Sequence, residues 1–256
     1  MVENRWSWGG QLFGGILLFL IFLFLNVVSY DETTSFKIMA NLILALLALV
    51  TTIIALGSLK VLKQRIKLTH PLVLWGTLAA ISMLIMLGFN KTPQNIVLAL
   101  QSKNALLATT AALSTAIFEE SICRGLFLSA FLGLETYLEV RRKHNHKMLK
   151  AALFSALLFG ILHIVNLFGG NAQSVFQQIF YTFAAGVFLA ALRIATNNLL
   201  WPILLHFLID WAPLEFYTTS PGSGWLIMFT VFVPMLLLSA IFLVQVDRQF
   251  LQTEPL

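Results

Sequence analysis

The chain has 256 residues, of which 59% are hydrophobic and only 11% charged, with a formal net charge of +5. A water-soluble domain carries about 25% charged residues, so this composition excludes an ordinary soluble globule and makes lipid the solvent. The single cysteine, Cys123, excludes an internal disulfide framework and a multi-cysteine metal site, and the basic residues fall in short runs between apolar stretches, the pattern of a topology signal, not of a nucleic-acid patch.

A helix needs about 20 apolar residues to cross the hydrocarbon core. In chain order, spans are predicted at residues 9–29, 38–59, 72–89, 105–134, 151–168, 174–192, 199–216 and 225–246. Arg5 alone precedes the first as a basic residue, and no small-residue cleavage site follows before Asp31-Glu32, so it reads as a membrane helix, not a removed signal peptide. Between the fifth and sixth, Gly169-Gly170-Asn171 is the one turn signal. The expectation is an all-α, polytopic bundle of about eight transmembrane helices, a single integral membrane domain over residues 1–256. In that arrangement Arg5, Lys60, Lys63, Arg65, Lys67, Arg141, Arg142, Lys143, Lys147, Lys150, Arg193 and Arg248 fall on one side, and Lys37, Lys91 and Lys103 on the other. The basic side is expected to be cytoplasmic, with both termini on it.

The informative residues break the apolar pattern. A charged side chain at mid-helix costs about 2.5–3.5 kcal/mol on insertion scales. Three spans bear that cost: the fourth with Glu119-Glu120-Ser121-Ile122-Cys123-Arg124, the fifth with His163 after Phe159, and the seventh with His206 and Asp210. Glu120 and Arg124 are four apart and can pair on one helix face, as a brace or as part of a site. Glu119 lies about 100° around the helix and needs a partner from another helix; it is the candidate general base. His206 and Asp210 are also four apart, so the carboxylate can fix the imidazole tautomer. A lone intramembrane histidine such as His163 more often joins helices by a hydrogen bond than it catalyses. Three spans with ionisable groups change that balance, because such groups usually face one interior cavity. Cys123 reads as helix packing; Lys103, Glu135 and Arg193 as snorkelling near helix ends; His144 and His146 as solvated; Asp247, Arg248 and Glu254 as a solvated tail. There is no His-Glu-x-x-His, no Walker loop and no Gly-x-Ser-x-Gly elbow.

Glu119-Glu120-x-x-x-Arg124, then Phe159-x-x-x-His163, then His206-x-x-x-Asp210, each on its own span, resembles the CPBP family. This is the CAAX-protease and bacteriocin-processing (Abi) group of intramembrane endopeptidases. The resemblance covers roughly residues 105–216, and the third motif ends in Asp210 where the prenyl-protein proteases of the family have Asn. It implies peptide-bond hydrolysis in a membrane cavity, with Glu119 activating water, His163 assisting, His206 and Asp210 completing the site, and Glu120 and Arg124 in the same motif. Two cofactor readings stay open. Glu119, His163 and His206 could hold a divalent metal such as zinc with one open position, or the site could work without a metal, its histidines donating to an oxyanion. The implied partners are a membrane-associated peptide or protein substrate and the bilayer, with no nucleic acid, in a multi-pass protein of the bacterial plasma membrane. The alternatives are a non-catalytic interaction or bacteriocin-immunity protein that keeps the motif as structure, and a proton-coupled transporter. The lack of paired interrupted helices in two halves disfavours the transporter.

Overall fold

The structure, a computed structural model, describes residues 4–139, 146–168, 171–217 and 224–253; these form helices, and among them there is no strand. Helix α1 (Trp8–Val28) starts behind Ser7, whose side chain accepts the Gly10 N–H at 3.1 Å. Helix α2 (Thr34–Leu56) starts behind Thr33 in the same way and stops at Gly57, whose φ of +82° suits only a residue without a Cβ. Helix α3 (His70–Phe89) carries a proline in its first turn. A short α4 (Thr92–Gln101), which the apolar pattern did not mark as a span, leads into α5 (Ala105–Glu120). This helix continues through a π-helical segment, Ser121–Phe127, into α6 (Leu128–Glu139). Helix α7 (Lys147–Leu162) ends in a 3-10 turn, His163–Phe168; α8 (Ala172–Thr196), α9 (Leu200–Asp210), a 3-10 turn at Leu214–Tyr217 and α10 (Trp225–Thr253) follow.

Among the described residues six helices are long and apolar enough to cross a membrane: α1, α2, α3, α7 with its 3-10 extension, α8 and α10. The protein is an integral, multi-pass membrane protein. The predicted fourth span is the rod formed by α5, the π segment and α6. The seventh differs from expectation. A helix was expected over 199–216, but α9 stops at Asp210 after 11 residues, about 16 Å, against a hydrocarbon core of about 30 Å. The cause is local: Pro213 has no N–H and disfavours helical backbone in the residue before it, and Trp211 is already extended at φ −75°, ψ 92°. A helix that ends inside the bundle is tolerated where it is buried in protein or lines a cavity, and Asp210 is its last residue.

Helix α7 packs along α8, α2 along α5, and α10 against α3 and α8. Small residues make the α7–α8 approach close: Ala151, Ala152 and Ala156 face Ala190, Ala191 and Gly186, and the alanines are buried. The outer helices turn large apolar side chains outward, with Phe24 of α1 69% and Leu226 of α10 80% exposed. In water that would be an association surface; in lipid it is the ordinary exterior.

Hydrogen bonds tie one end of the bundle together. The Arg5 and Trp6 N–H groups donate to the Ala55 carbonyl, and Leu199 N–H to that of Leu59. Asn197 accepts the Val61 and Leu62 N–H groups on Oδ1 at 2.9 and 2.8 Å and donates to the Leu62 carbonyl at 2.7 Å. The Gln249 amide donates to the Lys67 carbonyl. The Asp247 carboxylate accepts the Met148 and Leu149 N–H groups at the start of α7. The described lysine and arginine runs assigned to one side by the pattern therefore gather at one end. Arg141, Arg142, Lys143, His144, the Gly169-Gly170 turn and Glu254 lie outside the described residues. Some residues expected in water are buried because they find fixed partners. Arg193 is fully buried and donates from Nη1 to the Leu59 carbonyl, Asp247 neutralises the positive N-terminus of α7, and Glu135 lies 3.7 Å from Lys150.

Candidate active site

The site begins where α-helical geometry stops. A π-helical turn hydrogen-bonds i to i+5 and is widened, and such segments are frequent at functional sites. Two hydroxyls from neighbouring helices bond its carbonyls: Thr52 Oγ1 of α2 donates to Ser121 O at 3.0 Å, and Ser155 Oγ of α7 donates to Cys123 O at 2.6 Å. Gly125 is required for this approach, since a Cβ there would lie 2.4 Å from Thr52 Cγ2. Within the segment Arg124 is fully buried, and its Nη1 lies 2.8 Å from Oε1 of the equally buried Glu120. The guanidinium sits 4.3 Å from the centre of the Phe159 ring, a desolvated cation–π contact. Gly186 of α8 leaves room for it, because a Cβ at that position would lie 3.0 Å from Arg124 Nη2.

Glu120 reaches a second partner. Its Oε1 is also 2.8 Å from Nδ1 of His206 on α9. A carboxylate held by a guanidinium accepts, so Nδ1 carries the hydrogen. The sequence reading gave Asp210 the task of orienting His206; in the structure Glu120, from another helix, holds Nδ1. Nε2 turns toward Asp210 Oδ2 at 3.2 Å and Glu119 Oε2 at 3.6 Å. Glu119 thus has the cross-helix partner that its position on α5 required. His163 opens the 3-10 turn after α7, and its Nδ1 lies 2.8 Å from the Phe159 carbonyl. A carbonyl only accepts, so Nδ1–H donates and Nε2 keeps its lone pair. The Phe159 ring stands edge-on to both imidazoles, 5.0 Å from His163 and 5.8 Å from His206. That aromatic ring is the shared wall against which Arg124 and both histidines are set. Asn166, one turn beyond His163, bonds Gln178 Oε1 at 2.8 Å instead of entering the cluster.

Glu119, His163, His206 and Asp210 line one cavity of about 360 Å³, together with Phe22, Phe118, Cys123, Gln178 and Tyr181. The side chains of Glu119 and Asp210 are 25% and 26% exposed, whereas Glu120 and Arg124 are completely covered behind the wall. Two carboxylates therefore face the space, and a buried ion pair supports them from behind. Among the described residues no three His, Cys, Asp or Glu side chains are grouped as a metal-ligand set. His206 Nε2 faces the carboxylates of Asp210 and Glu119, and His163 lines the same cavity. Thr52, Ser155 and Gly186 carry no local signal in the sequence. The two hydroxyls act on carbonyls 69 and 32 residues away.

Residues 101–212 match the family model described as Rce1-like, type II CAAX prenyl endopeptidase. The matched stretch contains all three motifs and the cavity residues Glu119, His163, His206 and Asp210. No curated protein and no solved structure matches the chain.

Proposed function

We propose, from the premise that residues 101–212 form a domain of the Rce1-like CAAX prenyl endopeptidase family, that this chain is an intramembrane endopeptidase of the bacterial plasma membrane. It would hydrolyse a peptide bond in a membrane-associated peptide or protein. The observation that carries the reading is the meeting of Glu119, His163, His206 and Asp210 on one cavity, supplied by three separate helical segments.

The chemistry follows from which atoms face the space. The Glu119 carboxylate takes a proton from water as the water oxygen attacks the scissile carbonyl carbon. His163, with Nδ1–H held by the Phe159 carbonyl, offers Nε2 as an acceptor that orients the same water. His206, with Nδ1–H held by Glu120, shares a proton between Nε2 and Asp210 Oδ2. That proton is the donor to the tetrahedral oxyanion, since a preorganised donor acts most strongly where water is excluded. The proton taken by Glu119 then passes to the departing amine nitrogen, so the carbonyl carbon gains OH and the amine gains H. Glu120 and Arg124 act through His206 and do not touch the substrate. Every step uses protein side chains and water.

The test is cleavage of a membrane-associated peptide by the purified full chain in lipid nanodiscs. Removing a general base costs about 10²–10⁴ in rate, so Glu119→Gln should lose cleavage by at least 10²-fold while remaining monodisperse and helical. Undiminished cleavage by that variant would refute Glu119 as base. Absence of cleavage by the parent chain on any membrane peptide, with its cellular role intact in Glu119→Gln, would favour a non-catalytic interaction protein.

A further inference from the structure

Lys60, Lys63, Arg65 and Lys67 put four cations within eight residues on the connection between α2 and α3. All four are exposed, and among the described residues none is paired with a carboxylate. A basic run can serve as a topology signal alone. Such a signal is read from charge and needs no fixed conformation. This segment has one.

Between the cations, Val61 and Leu62 have no exposure and Ile66 is 8% exposed, and all three belong to the core packed around α7, α8 and α10. The backbone is held from distant parts of the chain. Asn197 accepts the Val61 and Leu62 N–H groups and donates to the Leu62 carbonyl. Arg193 Nη1 donates to the Leu59 carbonyl, and the Gln249 amide donates to that of Lys67. Buried and charged residues are interleaved, so anchoring the first set displays the second outward. A fifth cation joins them. The exposed Arg5 side chain lies against Gly57, where a Cβ would meet its Nε at 2.8 Å. Leu68, 71% exposed, follows Lys67 directly and adds an apolar contact at the same edge.

An array of unpaired N–H donors on a fixed backbone suits a phosphate, which accepts several charge-assisted hydrogen bonds at once. Little backbone freedom is lost on binding, because the fold has already removed it. The place of the segment sets what carries that phosphate. Helices α2 and α3 are both long and apolar enough to cross a membrane, one ending at Leu56 and the other beginning at His70. Residues between them therefore lie at the level of lipid headgroups, where juxtamembrane lysines and arginines attract anionic lipid.

We propose that residues 58–69 form a binding site for an anionic phospholipid, its headgroup phosphate held by Lys60, Lys63, Arg65 and Lys67 and its upper acyl chain against Leu68. The site does not depend on the endopeptidase reading. Its occupation still bears on α9, because the Leu59 carbonyl accepts the Leu199 N–H just before that helix and His206 lies six residues beyond its first residue. A headgroup that tightens the segment tightens the start of α9.

The test is thermal unfolding of the full chain in neutral dodecyl maltoside micelles, followed by tryptophan fluorescence. Phosphatidylglycerol, phosphatidylcholine or inorganic phosphate is added at equal concentration. A ligand bound by the folded chain alone raises the midpoint. Phosphatidylglycerol should raise it by at least about 3 °C, and the other two by less than about 1 °C. The combined variant Lys60→Gln, Lys63→Gln, Arg65→Gln and Lys67→Gln should lose this difference, whereas Lys91→Gln with Lys103→Gln should keep it. In the parent chain the difference should also vanish between about 0.1 and about 1 M salt, where the screening length falls from about 10 to about 3 Å. That arm needs no variant to fold. No rise with phosphatidylglycerol, an equal rise with phosphatidylcholine, or a rise that survives high salt or the fourfold replacement would each overturn the proposal. Loss of the difference in the Lys91 and Lys103 variant would overturn it as well, by assigning the effect to overall charge. An equal rise with inorganic phosphate would make the ligand a free anion and overturn the assignment to lipid.

Discussion

Replacing Arg124 by methionine tests the ion pair behind the site. The substitution removes the 2.8 Å bond to Glu120 and the contact over the Phe159 ring at 4.3 Å. A hydrogen bond to a charged group is worth about 1.5–3 kcal/mol and a desolvated cation–π contact about 2 kcal/mol. The sum agrees with the roughly 3–5 kcal/mol cost of breaking a buried pair and leaving one charge behind. His206 Nδ1–H still donates to Glu120, which places the expected loss near the lower end, about 3 kcal/mol. Glu120→Gln alone strands Arg124 and should cost a similar amount. The double variant Glu120→Gln with Arg124→Met leaves no uncompensated charge, so its loss should fall short of the sum of the two by about 2 kcal/mol. Unfolding of the full chain in mixed micelles titrated with sodium dodecyl sulfate, followed by tryptophan fluorescence, gives all three values. If the two single losses add to within about 0.5 kcal/mol, the buried pair is not the coupled element described here.

Other substitutions probe the parts that hold the site from outside it. Gly125→Ala should destabilise the chain by about 1–3 kcal/mol through overpacking, because its Cβ would meet Thr52 Cγ2 at 2.4 Å. Adding Thr52→Ser removes that methyl and should restore most of the loss in the same unfolding titration. Ser155→Ala leaves the Cys123 carbonyl without its 2.6 Å donor. It should cost about 1–3 kcal/mol and lower kcat more than it raises KM, since it disturbs the segment that carries Arg124. Asn197→Ala removes three hydrogen bonds to residues 61 and 62 and places alanine at φ +50°. A loss of about 3 kcal/mol is expected, together with faster proteolysis of residues 60–67 in the same micelles.

The membrane class of this protein, most of its crossings and the residues of its candidate site were legible in one dimension. Each depends on sums or spacings along the chain. Hydropathy over about 20 residues marks a crossing without reference to anything else, and a carboxylate in an apolar run is conspicuous because it is costly there. The same logic grouped Lys60 to Lys67, Lys147, Lys150, Arg193 and Arg248 on one side. Pro213 was also visible, and its effect on the residue before it could have shortened the seventh span to the observed end at Asp210. The span drawn to Phe216 followed the mostly apolar residues that continue past Asp210, interrupted by Glu215.

Other features were decided only when the helices packed. A π-helical turn has no composition of its own. It exists here where Thr52 and Ser155 reach the Ser121 and Cys123 carbonyls from other helices. Spacing offered Asp210 as the partner that orients His206, being one turn away. Glu120 takes that role because α5 and α9 pack side by side and its oxygen meets Nδ1 at 2.8 Å. Arg193 and Asp247 looked like water-seeking residues near helix ends, and each is buried on a backbone partner more than 90 residues away. Sequence thus determined which groups the membrane would have to accommodate, because the cost of a buried charge belongs to the residue itself. Tertiary structure alone decided which atom answers which charge, because that depends on distances no spacing along the chain contains.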